Sequence, residues 1–331
     1  MQRRWLVSWA IALMLAAAAA AAFEDWLRAH DYWPTIQDDK DLWSMQMDRL
    51  DAHGDAVALL GASRIQYAVD PVLVQEFTGR PTMMLAVNGA YPLAALRALA
   101  EDPGFHGIAI VGIDSRGLSR RHWDMQRPWF DHYRNRWSLA RRIHRMLLTP
   151  LQQHLVFIRS PFAVVQIVRR WLAGYGPPIN DYVVMRPDRL GLLDYRRTNV
   201  AAIRERRIAD LRDYYRDNVP DPPQAWLAAL EEVSAWVRTI EARGGRVVFF
   251  REPAAGEHLA IDEAHYPRER YWDAYARVAP MVMIDFRDEP AFASIPLPDT
   301  SHIDGRDVPR FTSVLLGVLA RRGVIAPASP P

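Results

Sequence analysis

The chain has 331 residues, 50% of them hydrophobic and 24% charged, with a formal net charge of +2 and no cysteine. That length can bury one substantial core, and the near-balanced charge gives no global case for nucleic acid as a partner. Without cysteine, disulfides, thiol catalysis and zinc-thiolate sites are excluded.

Arg3 and Arg4 precede an apolar stretch over residues 5–23, which stops against Glu24 and Asp25. Positive charge before the stretch and negative charge after it orient the segment with its N-terminus inside. Its length falls between a signal-peptide core and a short membrane span, and its alanine run contains A-x-A cleavage sites. The expectation is a signal anchor over 1–23 that holds the chain in a bacterial inner membrane, with the rest of it in the periplasm. The alternative is a cleaved signal peptide and a soluble periplasmic product. Residues 24–54 then read as a polar helical stalk, with Trp43, Met47 and Leu50 recurring at helical spacing.

The first strand is expected at 56–60, a helix at 71–77, and a second strand at 82–87 that ends on Asn88-Gly89. A helix over 92–100 leads to a third strand at 107–111. The pattern resumes with a helix over 225–243 closed by Gly244-Gly245, strands at 246–250 and 281–285, and a last helix at 309–322. Each strand is a continuous apolar run, as expected where a parallel sheet is covered on both faces. Alternating β and α elements predict a three-layer α/β/α sandwich with a central parallel sheet over 55–325.

A basic, mainly helical insertion is expected at about 116–224. Residues 116–217 carry 21 arginines against nine acidic residues. Within 138–172, Arg141, Arg142, Arg169 and Arg170 are interleaved with Leu, Ile, Val, Phe and Trp. One reading is a subdomain packed on the sheet with its arginines solvated. The other is an amphipathic surface for the anionic bilayer, a membrane partner or an acidic polysaccharide.

Two short segments carry the chemistry. Leu59-Leu60-Gly61-Ala62-Ser63-Arg64 is an apolar run stopping at Gly-x-Ser, which delivers a serine to a strand end. Asp299-Thr300-Ser301-His302 spaces a carboxylate and an imidazole so that one turn can present both. A neutral hydroxyl is a poor nucleophile, so Ser63 needs His302 to accept its proton and Asp299 to hold the tautomer. The backbone N–H groups of Ser63 and Gly89 and the Asn88 amide, all at strand ends, are candidate donors to an oxyanion.

Gly61-Ala62-Ser63 after one strand, Asn88-Gly89 after the next, and Asp299-x-x-His302 before the last helix resemble the SGNH (GDSL-like) hydrolase superfamily, whose core is a flavodoxin-like sandwich. The segments 59–64, 85–92 and 301–312 are most similar to its membrane-anchored periplasmic branch, which includes alginate O-acetyltransferase-like proteins. The resemblance implies Ser63 as nucleophile, His302 as base, Asp299 as its partner and Gly89 as an oxyanion donor. It also implies acyl, above all acetyl, transfer to a cell-surface or secreted polysaccharide beside a multispanning O-acyltransferase, and it implies no cofactor. An esterase or a non-catalytic scaffold of an export complex is the alternative. Two positions depart from the family pattern. Ala62 replaces the aspartate of Gly-Asp-Ser, and Gly112-Ile113-Asp114-Ser115 has Asp114 where an asparagine is usual. An aspartate there would repel an oxyanion unless it points away or is protonated.

Further residues fall at the same sheet edge. Arg251 ends a strand and is expected either to contact substrate or to pair with Glu252 or Asp285. Arg64 and Asp114 are expected in ordinary ion pairs, and Trp272 in the core. The sequence has no glycine-rich phosphate loop and no metal-ligand cluster.

Overall fold

A computed structural model describes residues 2–176, 178 and 181–328, with the backbone alone at residues 2, 3 and 164. The expected anchor and insertion therefore each include a few positions outside the described residues. The strands are β1 (Val57–Leu60), β2 (Thr82–Met84), β3 (Ile108–Gly112), β4 (Val183–Met185), β5 (Gly191–Leu193), β6 (Arg246–Arg251) and β7 (Val282–Asp285). Five of them form one sheet in the order β2-β1-β3-β6-β7, with every neighbouring pair parallel.

Side-chain alternation explains why these runs are apolar throughout. Ala58, Leu60, Ala109, Val111, Val247 and Phe249 enter one buried cluster, while Val57, Leu59, Ile108, Ile110, Val248 and Phe250 enter another. Successive residues of a strand point to opposite faces, so a sheet covered on both sides leaves no position for a polar residue.

Helices supply the cover. On the first face lie α2 (Lys40–Asp51), α5 (Leu93–Glu101), α10 (Pro223–Glu241) and α12 (Trp272–Ala276). The second face is covered by α4 (Pro71–Thr78), which follows the one-turn helix α3 (Ser63–Gln66), and by α13 (Val308–Arg321). The fold class is thus the α/β sandwich read from the sequence. The ladder of β2 is shorter than expected, but the Leu85 and Val87 N–H groups still donate to the Leu59 and Gly61 carbonyls, at 2.9 and 3.0 Å.

At the N-terminus, α1 (Gln2–Ala29) contains a 26-residue segment, Arg4–Ala29, long and apolar enough to cross a membrane, with a mean hydropathy of 2.2 over an 18-residue stretch of it. The stretch 24–54 is not one stalk. The end of α1 takes its first residues, and α2 packs on the sheet with Trp43, Met47 and Leu50 in the core. The Trp43 indole N–H donates to the Leu85 carbonyl at 3.0 Å. Helical spacing of large apolar residues is what a core-facing helix needs, and that is the use made of it here.

The region after β3 holds α6 (Arg127–Arg136), α7 (Leu139–His154), α8 (Val164–Leu172) and α9 (Val200–Asp217), together with the antiparallel β4–β5 pair and the short α11 (Gly256–His265) packed against α9. Of its arginines, Arg145 and Arg189 are buried and Arg141 and Arg142 half exposed, and all four reach carboxylates near α2. Arg141, Arg142, Arg145 and Arg189 lie 3.1, 2.8, 3.4 and 2.7 Å from Asp41, Asp48, Asp39 and Asp38. The arginine excess therefore serves in part to clamp the insertion onto the acidic run around α2.

Candidate active site

Close backbone approach sets up the turn after β1. A side chain at Gly61 would place its Cβ 2.5 Å from Ile65 Cγ1, and one at Gly112, on the neighbouring strand, would lie 2.1 Å from the same atom. Ala62 is extended, and Ser63 opens α3. Gln66, buried one turn later, donates to Asp38 Oδ2 at 2.6 Å and accepts the Asn88 N–H at 2.9 Å. The serine turn is thereby tied to the loop after β2.

The loop after β7 is fixed by its own carboxylate. Asp299 Oδ1 accepts the N–H groups of Ser301 and His302 at 2.9 and 2.7 Å. Thr300 between them has φ +74, an uncommon conformation for a β-branched residue. Its carbonyl accepts the Ala255 N–H at 2.9 Å, which anchors the turn to the loop after β6.

The two segments meet. Ser63 Oγ lies 2.7 Å from His302 Nε2, and His302 Nδ1 lies 3.0 Å from Asp299 Oδ2. Ser301 Oγ is a second neighbour of Nδ1 at 2.8 Å. With Nδ1 protonated, the ring donates to Asp299 and leaves Nε2 free to accept the serine proton. Burial pushes the His302 imidazole down. The Asp299 hydrogen bond and charge oppose this, Arg207 and Arg64 add to it, and the outcome is about 4. A neutral, proton-accepting ring at neutral pH follows. Burial alone would raise Asp299, but the His302 hydrogen bond and ring and the Arg207 guanidinium reverse this and hold the carboxyl well below the usual range.

Ser63, Gly89, His302 and Arg207 line one cavity of about 280 Å³. Among the described residues no hydrogen bond engages the backbone N–H of Ser63 or of Gly89, so both are available as donors. Gly89 has φ +76, which disfavours any side chain there. Asn88 is exposed and is not part of the cavity wall. The sequence places it at the right strand end, and its backbone N–H is taken up by Gln66.

Asp114 does not line this cavity. Its Oδ2 lies 2.7 Å from Arg64 Nη2 and 3.8 Å from Arg116 Nη2, and its Oδ1 accepts the Gly117 N–H at 2.7 Å. Burial would raise this carboxyl, but Arg116 and Arg64 hold it below its ordinary value. Arg251 is buried and pairs with Glu263 at 2.7 Å and Asp285 at 3.4 Å, outside the cavity. Trp272 is buried in the core.

Sequence reasoning did not single out Arg207 or Arg116. Arg207 Nε, on α9, lies 2.8 Å from Asp299 Oδ2. Arg116 donates to the Tyr91 hydroxyl at 2.7 Å, and its guanidinium sits 5.3 Å from the Tyr214 ring centre. Together with His122, these groups make a wall of neutral hydrogen-bonding rings and neutralised cations. His122 is pushed to about 4 by burial and by Arg116, and lies 2.7 Å from the Tyr214 hydroxyl. An arginine-rich helix offers no local signal for which of its guanidinia turns inward. Among the described residues, no group of three His, Asp or Glu side chains could hold a metal ion.

No family model matches the chain, and no curated protein matches it. Among solved structures, TesA is similar over 81% of this chain and 99% of its own, at 11% sequence identity and a TM-score of 0.35.

Proposed function

We propose that the chain is a membrane-anchored serine acyltransferase of SGNH-like type, with Ser63 as nucleophile, His302 as general base, Asp299 as its orienting carboxylate, and the Ser63 and Gly89 N–H groups as the oxyanion site. The observation that carries this reading is the unbroken chain from Ser63 Oγ to His302 Nε2 and from His302 Nδ1 to Asp299, opening on a cavity beside two free backbone donors. His302 takes the serine proton as Oγ bonds to the acyl carbonyl carbon. The same proton then goes to the departing oxygen, leaving the acyl group on Ser63. An incoming hydroxyl gives its proton to His302, attacks the acyl carbon and restores the serine.

The acyl group is proposed to be acetyl, and the acceptor a hydroxyl of a cell-surface or secreted polysaccharide. The neutral, hydroxyl- and ring-lined wall of Tyr91, His122 and Tyr214 supports a polyhydroxyl acceptor over a charged one, since Arg116 and Arg207 are already paired with carboxylates. The apolar segment of α1 supports placement at an inner membrane, with the sandwich on the periplasmic side beside a multispanning acyl-group exporter.

An aryl acetate should give a burst of phenolate release that Ser63→Ala and His302→Ala both abolish. Adding polysaccharide should move the acetyl group to sugar hydroxyls, and acetate appearing in solution instead would mark a hydrolase. Protein that neither releases phenolate nor labels with a serine-directed phosphonate would overturn both enzymatic readings.

A further inference from the structure

In α7 the usual sense of an amphipathic helix is reversed. Its protein-facing side is polar: Arg145, Thr149 and Gln152 are buried, with Arg145 only 1% exposed, donating to the Gln37 carbonyl at 2.7 Å. Its apolar stripe faces outward. Leu139, Ile143, Met146, Leu147 and Leu151 recur at helical spacing and are all exposed, Leu147 to 65%. The next helix also exposes apolar residues, with Val165, Val168, Trp171 and Leu172 uncovered on α8, the last two to 76% and 73%. Two exposed apolar stripes on successive helices are not left to water in a soluble monomer.

Its position says what covers it. The loop joining α7 to α8 is pinned to the point where α1 stops being apolar. The Glu24 carboxylate accepts the Val156 N–H at 2.9 Å and the Phe157 N–H at 3.1 Å, and Arg28 donates to the His154 carbonyl at 2.7 Å. Phe23, Leu27, Tyr32, Val156 and Phe162 pack together there. Residues 5–23 of α1 span about 28 Å at 1.5 Å per residue, close to the hydrocarbon thickness of a bilayer. Glu24 then stands at the headgroup level, and it carries the α7–α8 loop with it. Exposed Trp26, Trp33 and Tyr175 near this junction are the aromatic types that favour that depth.

We infer that α7 and α8 form an interfacial hairpin whose apolar stripes lie in the outer leaflet beside α1, a second membrane contact besides the span. The occupant is lipid acyl chain. The arginines of α7 are paired with Asp41, Asp48 and Asp39, so at α7 adhesion comes from the apolar stripe and not from attraction to anionic headgroups.

The absence of native cysteine allows a direct test with the full chain in phosphatidylethanolamine–phosphatidylglycerol vesicles. Leu147→Cys and Leu172→Cys on the stripes, Leu13→Cys within α1, and Val219→Cys and Val278→Cys on exposed positions elsewhere are each labelled with one fluorophore. Labels at 147, 172 and 13 should lose most of their emission to a nitroxide lipid and resist aqueous iodide, while those at 219 and 278 should do the opposite. Iodide quenching at 147 and 172 with 13 still in lipid would overturn the hairpin and leave the anchor standing. Protection of 147 and 172 from both quenchers would assign the face to a second copy or another protein and overturn the proposal. A label at 13 that stays in water would overturn anchor and hairpin together.

Discussion

Arg207 on α9 lies 2.8 Å from the carboxylate of Asp299. The group that orients His302 is therefore shared between an imidazole and a guanidinium delivered by the insertion, more than ninety residues away in sequence. The arrangement lowers the basicity of His302 twice. The guanidinium draws on the same carboxylate oxygen, and its charge disfavours a second cation on the ring.

The first prediction concerns that pair. With the His302 pKa at about 4, the acid limb of kcat/KM for an aryl acetate should fall near pH 4 and not near the usual histidine value. Arg207→Leu removes a cation that lowers the ring, so the limb should move to higher pH, and Arg207→Lys should move it less. Identical pH profiles in all three proteins would show that Arg207 does not tune the base.

Asp299 itself has two roles, and they separate by substitution. Asp299→Asn keeps one oxygen for the Ser301 and His302 N–H groups but no longer favours the Nδ1–H tautomer. Turnover should fall by about 10²–10⁴-fold with the fold retained. Asp299→Ala also removes the acceptor of two buried N–H groups and should lower the melting temperature as well. Circular dichroism melts beside rate measurements check both, and an Asn variant that keeps wild-type rates would sink the orienting role.

How much of this was legible in the sequence follows from the range of the forces involved. The strand positions, the alternation of strands and helices, and the placing of Ser63 and Asp299-x-x-His302 at strand ends rest on apolar runs and local turns, which are written within a few residues. Arg207, Gln66 and the burial of α2 depend on contacts between distant segments, and nothing near them in the chain marks the partner. Trp43, Met47 and Leu50 carry the correct period, but a period alone does not say whether a helix stands free or packs. The direction of Asp114 was likewise open until Arg64 and Arg116 were placed against it.

That placement gives a third prediction. If Asp114 stood at the oxyanion site, Asp114→Asn would remove a repulsive charge and raise kcat. Because it instead pairs with Arg64 at 2.7 Å in a buried setting, the change should break that pair and leave the guanidinium with Glu252 as its main charge partner. Breaking such a pair costs about 3–5 kcal/mol. Expected, then, is a less stable protein with no gain in turnover. A faster, equally stable variant would contradict the geometry.

Packing under the serine turn gives a fourth. A Cβ at residue 112 would lie 2.1 Å from Ile65 Cγ1 and 2.4 Å from Glu252 Oε1. Gly112→Ala should cost about 1–3 kcal/mol and slow turnover by displacing α3. Trimming the neighbour with Ile65→Ala, which removes the clashing Cγ1, should recover part of the loss, which a double-mutant cycle on melting temperature and rate would read as coupling between the two sites. Strict additivity would mean that the strain is relieved elsewhere.

The last prediction concerns stability against pH. Burial pushes His302 and His122 to about 4, so between pH 4 and 6.5 the unfolded chain binds more protons than the native one, and stability falls as pH falls through that window. Glu252 acts in the opposite sense. Burial raises it to about 7 against the opposing charge of Arg64, so the native state binds the extra proton between about 4.5 and 7, and stability rises as pH falls. Glu252→Gln deletes only this second contribution. The variant's stability should therefore decline more steeply than that of the wild type from pH 6.5 to 4.5, by about 1.4 kcal/mol per pH unit. Denaturant titrations of both proteins in detergent across that range would measure the difference in slope, and equal slopes would mean that Glu252 is ionised in the native state throughout.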